Sequence, residues 1–325
     1  MKFHRLLPIA AALAMAAFLM FPRAAKSYLS QYAGSKGNVN RAHWDFSDFP
    51  VLWSLNPSVP GNVSGGNAQD AITGGFASWI SAPNAAVFVT RGSDTQVASP
   101  GFDGVNLICF TCATDFSSDG TLAVTFTTTA NGPGADDKHG ARSRFAGQIL
   151  DADILFNPAV KFTMDGSGSD DLQTVATHEI GHFLGLDHSA VVKAMMFPFA
   201  PPLERTLSYD DVAAVASLYP KDGQDVEVGS ISGKIVMNDG TPVFGAHVFA
   251  ESQTAVVGYP ANVRKTPVGA LTMPDGTYQI QGLPPDRYTV AAEPLDGPVS
   301  NADISGFPSA FGKATVQTNF TTRWH

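Results

Sequence analysis

This chain of 325 residues has few cysteines, a low charge content and only one long apolar run. Its two cysteines, Cys109 and Cys112, are too few for a structural zinc site, and no thioredoxin-like pattern surrounds them that would indicate a redox pair. In an exported protein they are consistent with a local disulfide. Lysine and arginine total 20 against 29 acidic residues, so the net charge of −9 argues against a general nucleic-acid binder.

The apolar run lies at the start of the chain. Lys2 and Arg5 precede it, residues 6–21 are apolar and alanine-rich, and Ala25 and Ser27 offer small residues for cleavage. A run of this length is typical of a signal-peptide core and short for a membrane span. We therefore predict a signal peptide over residues 1–27, a secreted mature chain and no stable membrane insertion after cleavage. An uncleaved anchor is the alternative.

The residues with recognisable chemistry are concentrated in one segment, HEIGHFLGLDH, which runs from His178 to His188. His178 and His182 are four residues apart, so on a helix they lie on one face. Gly185 can end that helix, because glycine accepts a left-handed backbone, and the chain can then bring His188 up as a third ligand. Three neutral imidazoles leave a fourth zinc position open to water, as in catalytic sites. Glu179 is free to act on that water.

A second signal follows the third histidine. Ser189 comes directly after it, and the sequence AMMFP, which contains Met196, lies a few residues later. A bare H-E-x-x-H also occurs in core helices with satisfied histidines, but here the glycine, the third histidine and the methionine are all in register. The extended motif followed by a methionine turn resembles the metzincins, and the serine with AMMFP resembles their matrixin branch. The resemblance implies that Met196 lies beneath the zinc and is not a ligand.

The matrixin resemblance implies a zinc-dependent endopeptidase that acts on protein or peptide substrates, with Glu179 as general base and one catalytic zinc. Matrixins bind an extended peptide along an edge strand, which corresponds to residues 121–129 here. The residues after the turn methionine would line the pocket for the side chain that follows the cut. The candidate substrate-binding residues are Thr121, Leu122, Ala123, Val124, Phe197, Pro198 and Phe199.

Other metal sites are open to two interpretations. Animal matrixins hold a second zinc with histidines at positions that here are Ala113 and Leu150, so we predict one zinc only. Four aspartates supply the oxygen ligands that calcium prefers, and the alternative is that they are ordinary turn and cap residues. These four are Asp115, Asp119, Asp151 and Asp153.

The predicted fold class is α+β. Apolar and β-branched runs predict strands, and stripes of 3.6-residue period predict helices. By resemblance, residues 41–220 form a metzincin domain with a twisted, mostly parallel sheet, an antiparallel edge strand and three helices. The strands are predicted at 51–55, 86–90, 105–110, 122–128 and 149–156, and the helices at 67–79, 171–183 and 209–219. Asp170, with Gln173 three residues later, resembles the capping box of the middle helix.

Two further regions flank this domain. Residues 28–40 are polar and are predicted to be a loose N-terminal arm. After a linker at 221–228, residues 229–325 show alternating strands and turns that resemble the carboxypeptidase regulatory-like domain, a small prealbumin-like all-β sandwich. The resemblance implies an accessory module without chemistry of its own. Residues 296–325 have no clear pattern, so the sandwich is predicted with its last part unassigned.

Two other functions compete with a general protease. A catalytically inactive metalloprotease fold could serve as a binding or adhesion protein, although the presence of all three histidines and Glu179 weighs against this. A dedicated processing peptidase would keep the chemistry but act on one partner protein.

Overall fold

The computed structural model describes residues 30–33, 39–61, 63, 65–112, 116, 120–134, 143–165, 170–199, 204–254 and 259–325. The predicted signal peptide over residues 1–27 lies outside these ranges, as do Ala113, Asp115 and Asp119. Within the described ranges, no helix is both long enough and apolar enough to cross a membrane.

The described residues form short strands and four α-helices in a mixed order. The elements are β1 (Tyr32–Ala33), β2 (Asn40–Arg41), β3 (Val51–Leu55), α1 (Gly65–Ile80), β4 (Val89–Arg91), β5 (Asn106–Cys109), β6 (Ala123–Thr129), β7 (Ile149–Phe156), α2 (Leu172–Phe183), α3 (Tyr209–Leu218), β8 (Gly229–Lys234), β9 (His247–Ser252), β10 (Val268–Leu271), β11 (Thr277–Leu283), β12 (Tyr288–Glu293), α4 (Gly306–Ala310) and β13 (Arg323–Trp324).

A five-stranded sheet forms the centre of the first part of the chain. Its order is β4-β3-β5-β7-β6, with the first four strands parallel and β6 antiparallel at the edge. Seven of the eight residues of β7 are buried, as expected for a strand covered on both faces. This sheet confirms the predicted α+β class and the antiparallel edge strand. Cys109, at the end of β5, forms a disulfide with Cys112, with their Cα atoms 5.7 Å apart.

The two long helices pack closely against each other. Trp79 of α1 is fully buried, and its indole N–H donates to the Thr177 carbonyl of α2 at 2.7 Å. A Cβ on Gly75 would lie 2.8 Å from the Ile180 side chain. Gly75 lowers the intrinsic helix propensity of α1, but it permits this close approach, so tertiary packing outweighs the local preference.

The predicted cap of α2 is one residue off. The N-cap is Asp171 and not Asp170, and its carboxylate accepts from the Thr174 N–H at 3.0 Å. Asp171 is buried and also forms a bidentate ion pair with Arg205. Burial alone raises the pKa of Asp171, but the hydrogen bonds from Arg205 and Thr174 outweigh it and hold that pKa below its ordinary value. The distant Arg205 therefore favours Asp171 over its neighbour as the cap.

The prediction of a loose arm over residues 28–40 is wrong for the described residues 30–33. Ser30 is fully buried and forms a bridge with Leu186, and the Gln31 N–H donates to the Gly185 carbonyl at 2.9 Å. Tyr32 packs edge-on against Phe311. This polar segment is ordered by its partners elsewhere in the fold, which its own composition does not indicate.

The C-terminal part forms two antiparallel sheets, of order β10-β9-β12-β13 and β11-β8. These sheets do not establish a separate small sandwich, which stays a prediction. The described core is continuous between the two parts of the chain. Val212 of α3 lies in the same buried cluster as Val248 and Ile280 of the C-terminal strands. The backbone of β10 contacts α3 directly, since the Gly269 N–H donates to the Asp210 carboxylate at 2.8 Å. Helix α4 lies within residues 296–325, for which no pattern was predicted.

Replacing Asp171 by alanine removes both the cap of α2 and the partner of Arg205. We expect the free energy of unfolding to fall by about 3 kcal/mol, as is typical when one member of a buried ion pair is lost. Chemical denaturation of the zinc-free protein measures this. The matched control is Asp170→Ala, which we expect to change stability by less than about 0.5 kcal/mol. Equal losses in the two variants would contradict the assignment of the cap.

Candidate metal centre

Three imidazoles converge at the C-terminal end of α2. One ring nitrogen from each of His178, His182 and His188 lies within 4.8 Å of the other two. The ring centroid of His182 lies 4.9 Å from that of His178 and 4.9 Å from that of His188, and the centroids of His178 and His188 are 5.4 Å apart. Among the described residues, this is the one group of three or more such side chains close enough to hold a metal ion.

The other ring nitrogen of each histidine is already committed. Nδ1 of His178 lies 2.7 Å from the Met195 carbonyl oxygen, and Nδ1 of His182 lies 2.9 Å from the Leu186 carbonyl oxygen. In His188 it lies 2.8 Å from the carbonyl oxygen of Asp303. A carbonyl oxygen can only accept, so each Nδ1 carries a proton, and in the neutral form of the ring Nε2 then presents a free lone pair. Second-sphere bonds of this kind orient metal-binding histidines, so the three residues fit a zinc ion.

The protonation state also fits a metal ligand. Burial, with a contribution from the neighbouring histidines, lowers the pKa of His178 and of His182 to about 3. Both imidazoles are therefore neutral near pH 7, which is the form that binds a metal ion.

Gly185 produces the turn that brings the third histidine into place. Its φ is +91°, its N–H donates to the His182 carbonyl at 2.9 Å, and the Leu186 N–H donates to the Gly181 carbonyl at 3.0 Å. This pair of bonds is the Schellman motif that commonly ends helices at a glycine. A Cβ on Gly185 would also collide with the Ala42 carbonyl oxygen. Conformation and space thus both require glycine here, as the sequence predicted.

The turn after Ala194 packs against α2 and contacts His178 of the centre. Met196 is buried, and a Cβ on Gly181 would collide with its sulfur, so Met196 lies directly against α2 at the residue before His182. Asp211 of α3 fixes this turn, because its carboxylate accepts from the Met195 and Met196 N–H groups at 2.7 and 3.1 Å. Asp211 was not among the predicted site residues. The pattern Ser208-x-x-Asp211, which forms a capping box, was the available signal.

Glu179 is held by the edge strand. The Thr125 hydroxyl of β6 lies 2.6 Å from Glu179 Oε2 and donates to it. Burial raises the pKa of Glu179, while the nearby His178 and the Thr125 hydroxyl act in the opposite direction. Thr125 lies within the predicted substrate strand, but its contact with Glu179 was not predicted, since the two residues are 54 positions apart.

A cavity of about 420 Å³ opens beside Glu179. Its walls include five of the predicted substrate-binding residues, namely Thr121, Leu122, Ala123, Pro198 and Phe199, together with His178 and His188. Two predicted residues do not line it. Val124 points to the opposite face of the sheet, where it packs near the disulfide, because successive strand residues alternate. Phe197 is buried in a cluster with Phe244 and Phe307 of the C-terminal part.

Asp151 and Asp153, the two described aspartates of the predicted calcium site, accept hydrogen bonds from the backbone of residues 101–107. Asp153 accepts from the Gly101 and Leu107 N–H groups, both at 2.8 Å, and Asp151 accepts from the Gly104 N–H at 3.0 Å. Burial raises the pKa of Asp151 to about 7 and that of Asp153 to about 6. These oxygens already serve as acceptors for backbone groups, so calcium binding stays a prediction.

Replacing Gly185 by alanine should destabilise the turn to the third histidine by two effects. We expect a loss of about 3 kcal/mol, from the left-handed conformation and from the collision with the Ala42 carbonyl. Denaturation of the zinc-free protein measures it. Gly240→Ala is the matched control, because Gly240 has a φ of +84° with no atom within 4 Å of the added Cβ. We expect it to lose only about 1 kcal/mol. Equal losses of stability in the two variants would show that the structure relieves the collision with the Ala42 carbonyl.

Comparisons with known proteins agree with this geometry. Residues 106–220 match the family model described as Matrixin. The chain is 47% identical over 66 residues to karilysin of Tannerella forsythia, covering 20% of this chain and 14% of that protein. It is 36% identical over 108 residues to a probable matrix metalloproteinase of invertebrate iridescent virus 3, covering 31% and 30%. It is 33% identical over 118 residues to mouse stromelysin-1, covering 34% and 24%.

The matched region ends before the C-terminal sheets. The chain spans less than a third of the length of these three relatives. The family model and the relatives together support the matrixin family for the region that carries the three histidines.

Proposed function

We propose that this chain is a zinc-dependent endopeptidase that hydrolyses peptide bonds in protein or peptide substrates. The observation that carries the proposal is the convergence of three imidazoles beside a buried carboxylate, at the edge of a cavity. The match to the matrixin model and the similarity to named metalloproteinases support the same activity.

Zinc, when bound by His178, His182 and His188, would supply a Lewis acid that makes water more acidic and polarises the substrate carbonyl. Glu179 is the group that moves the proton. Thr125 donates to its Oε2, so we assign Oε1 to take the proton from the attacking water and to deliver it to the leaving amine. Burial favours the neutral carboxyl, which makes Glu179 a stronger base than an exposed glutamate.

The substrate would bind along β6. This strand pairs with β7 on one side and is an edge strand within the described sheet, so its other side can pair with an extended peptide. Thr121, Leu122 and Ala123 lie at the start of this edge, and Pro198 and Phe199 face them across the cavity. Phe199 is 54% exposed, so its ring is accessible to a substrate side chain.

Export remains part of the proposal and rests on the sequence alone. The basic start and the apolar run over residues 6–21 predict cleavage near residue 27 and release outside the cell. N-terminal sequencing of the secreted product tests this, and a product that retains the apolar run would indicate the membrane anchor.

Glu179→Gln should separate zinc binding from catalysis. Glutamine keeps the size and the acceptor for Thr125 but cannot take a proton at neutral pH, so we expect one bound zinc and a kcat lower by about 10³-fold. Metal analysis and cleavage of a quenched peptide library measure the two properties. His182→Ala is the companion variant and should lose both.

The outcomes distinguish the competing functions. Zinc binding by the wild type with no cleavage of any peptide would favour the inactive binding or adhesion protein, and cleavage of a single sequence would favour a processing peptidase. A folded wild-type protein without zinc would overturn the proposal.

Thr125→Val should lower activity through Glu179. Loss of a hydrogen bond to a charged group costs about 1.5 kcal/mol, which corresponds to about a 10-fold lower kcat/KM. Bound zinc should not change, because Thr125 contacts no histidine of the centre in the hydrogen bonds described. Thr128→Val is the matched control, since Thr128 lies on the opposite face of the same strand. Equal effects of the two variants would contradict the role of Thr125.

A further inference from the structure

The third histidine differs from the other two in the origin of its partner. The carbonyls that accept from His178 and His182 belong to residues 17 and 4 positions away. The carbonyl that accepts from His188 belongs to Asp303, 115 positions away. The matrixin match ends at residue 220. The region that resembles a known protease therefore lacks the residue that orients one of its own metal ligands.

A short turn presents the Asp303 carbonyl. The Asp303 carboxylate accepts from both the N–H and the hydroxyl of Ser300, each at 2.8 Å. The Asp303 N–H donates to the Ser300 carbonyl at 3.1 Å. The Asn301 side chain accepts from the Val316 N–H at 2.9 Å, which ties the turn to the following segment. The side chain of Asp303 thus fixes the direction in which its own carbonyl points.

The turn is anchored against the catalytic region on two sides. Ile304 is fully buried, and Phe307 stacks on Phe244 at 5.3 Å and contacts Tyr32 of the N-terminal segment at 6.0 Å. The same cluster contains Phe197, which directly follows Met196. Burial of these aromatic rings stabilises the packing of this segment against the centre. The contact with His188 is therefore part of a packed interface that joins both ends of the chain.

We infer that Asp303 is a positioning residue for the zinc ligand His188, so that the C-terminal part completes the metal centre. The inference rests on the proposed function, because it assumes that the three histidines hold zinc. A partner at Nδ1 fixes the tautomer and the orientation of the ring, and loss of such a partner weakens metal binding by about 10- to 100-fold. Asp303 acts through His188 and is not itself a ligand.

The test compares variants of the full mature chain in chelator competition for zinc. Asp303→Ala removes the side chain that closes the turn and should raise the zinc dissociation constant by about 10- to 100-fold. Asp303→Asn keeps an acceptor for Ser300 and should restore affinity close to that of the wild type. Asp275→Ala is the matched control, since the Asp275 carboxylate likewise accepts from the N–H and the hydroxyl of one nearby residue, Thr277. It should bind zinc as the wild type does.

Two further measurements separate positioning from folding. Thermal unfolding of the zinc-free variants shows whether Asp303→Ala is folded. If that variant does not fold, the milder Ser300→Ala is used in its place, because it removes only one of the two hydrogen bonds to the Asp303 carboxylate. The visible absorption of the cobalt-substituted protein reports ligand geometry and should change in Asp303→Ala but not in Asp275→Ala. Unchanged affinity and spectrum in a folded Asp303 or Ser300 variant would overturn the inference and leave the proposed function intact. Absence of zinc in the wild type would overturn the proposed function instead.

Discussion

The arrangement of the centre depends on one constraint, which is that three neutral imidazoles must each donate Nδ1–H so that three Nε2 atoms can converge. Each donor needs a carbonyl in a fixed position, and each carbonyl comes from a different structural device. Met195 lies in the turn supported by Asp211, Leu186 lies in the turn made by Gly185, and Asp303 lies in the C-terminal turn. The three turns must therefore keep their positions relative to α2 for these carbonyls to reach the imidazoles.

The acidic residues near the centre mainly perform this structural work. Asp171 caps the helix that bears the first two histidines and is paired with Arg205, while Asp211 receives the two N–H groups of the methionine turn. All such carboxylates are buried, where an unpaired charge would be unfavourable, and each is surrounded by donors. Glu179 differs, because it is buried but also borders the cavity. That combination agrees with the role in proton transfer that we propose for Glu179.

The two parts of the chain share one core, and this changes the meaning of the C-terminal sheets. Residues of α3 and of the C-terminal strands belong to a single buried cluster, and a second cluster joins Phe197 to Phe307. A tethered accessory module would have its own core and few contacts with its neighbour. The continuous packing instead brings residues more than a hundred positions away into contact with the centre.

The local sequence by itself determined the helix that carries His178 and His182, its end at Gly185 and most strands of the first sheet, because periodicity and backbone preference act over a few residues. The parallel order of that sheet and its antiparallel edge were expected only from the resemblance to matrixins. Tertiary structure decided what depends on distant partners. Arg205 favoured Asp171 over Asp170 as the cap, packing against Leu107 and Leu155 held Val124 away from the cavity, and the aromatic cluster buried Phe197. The order of residues 30–33 and the carbonyl of Asp303 likewise follow from contacts between segments far apart in the chain, which no local pattern encodes.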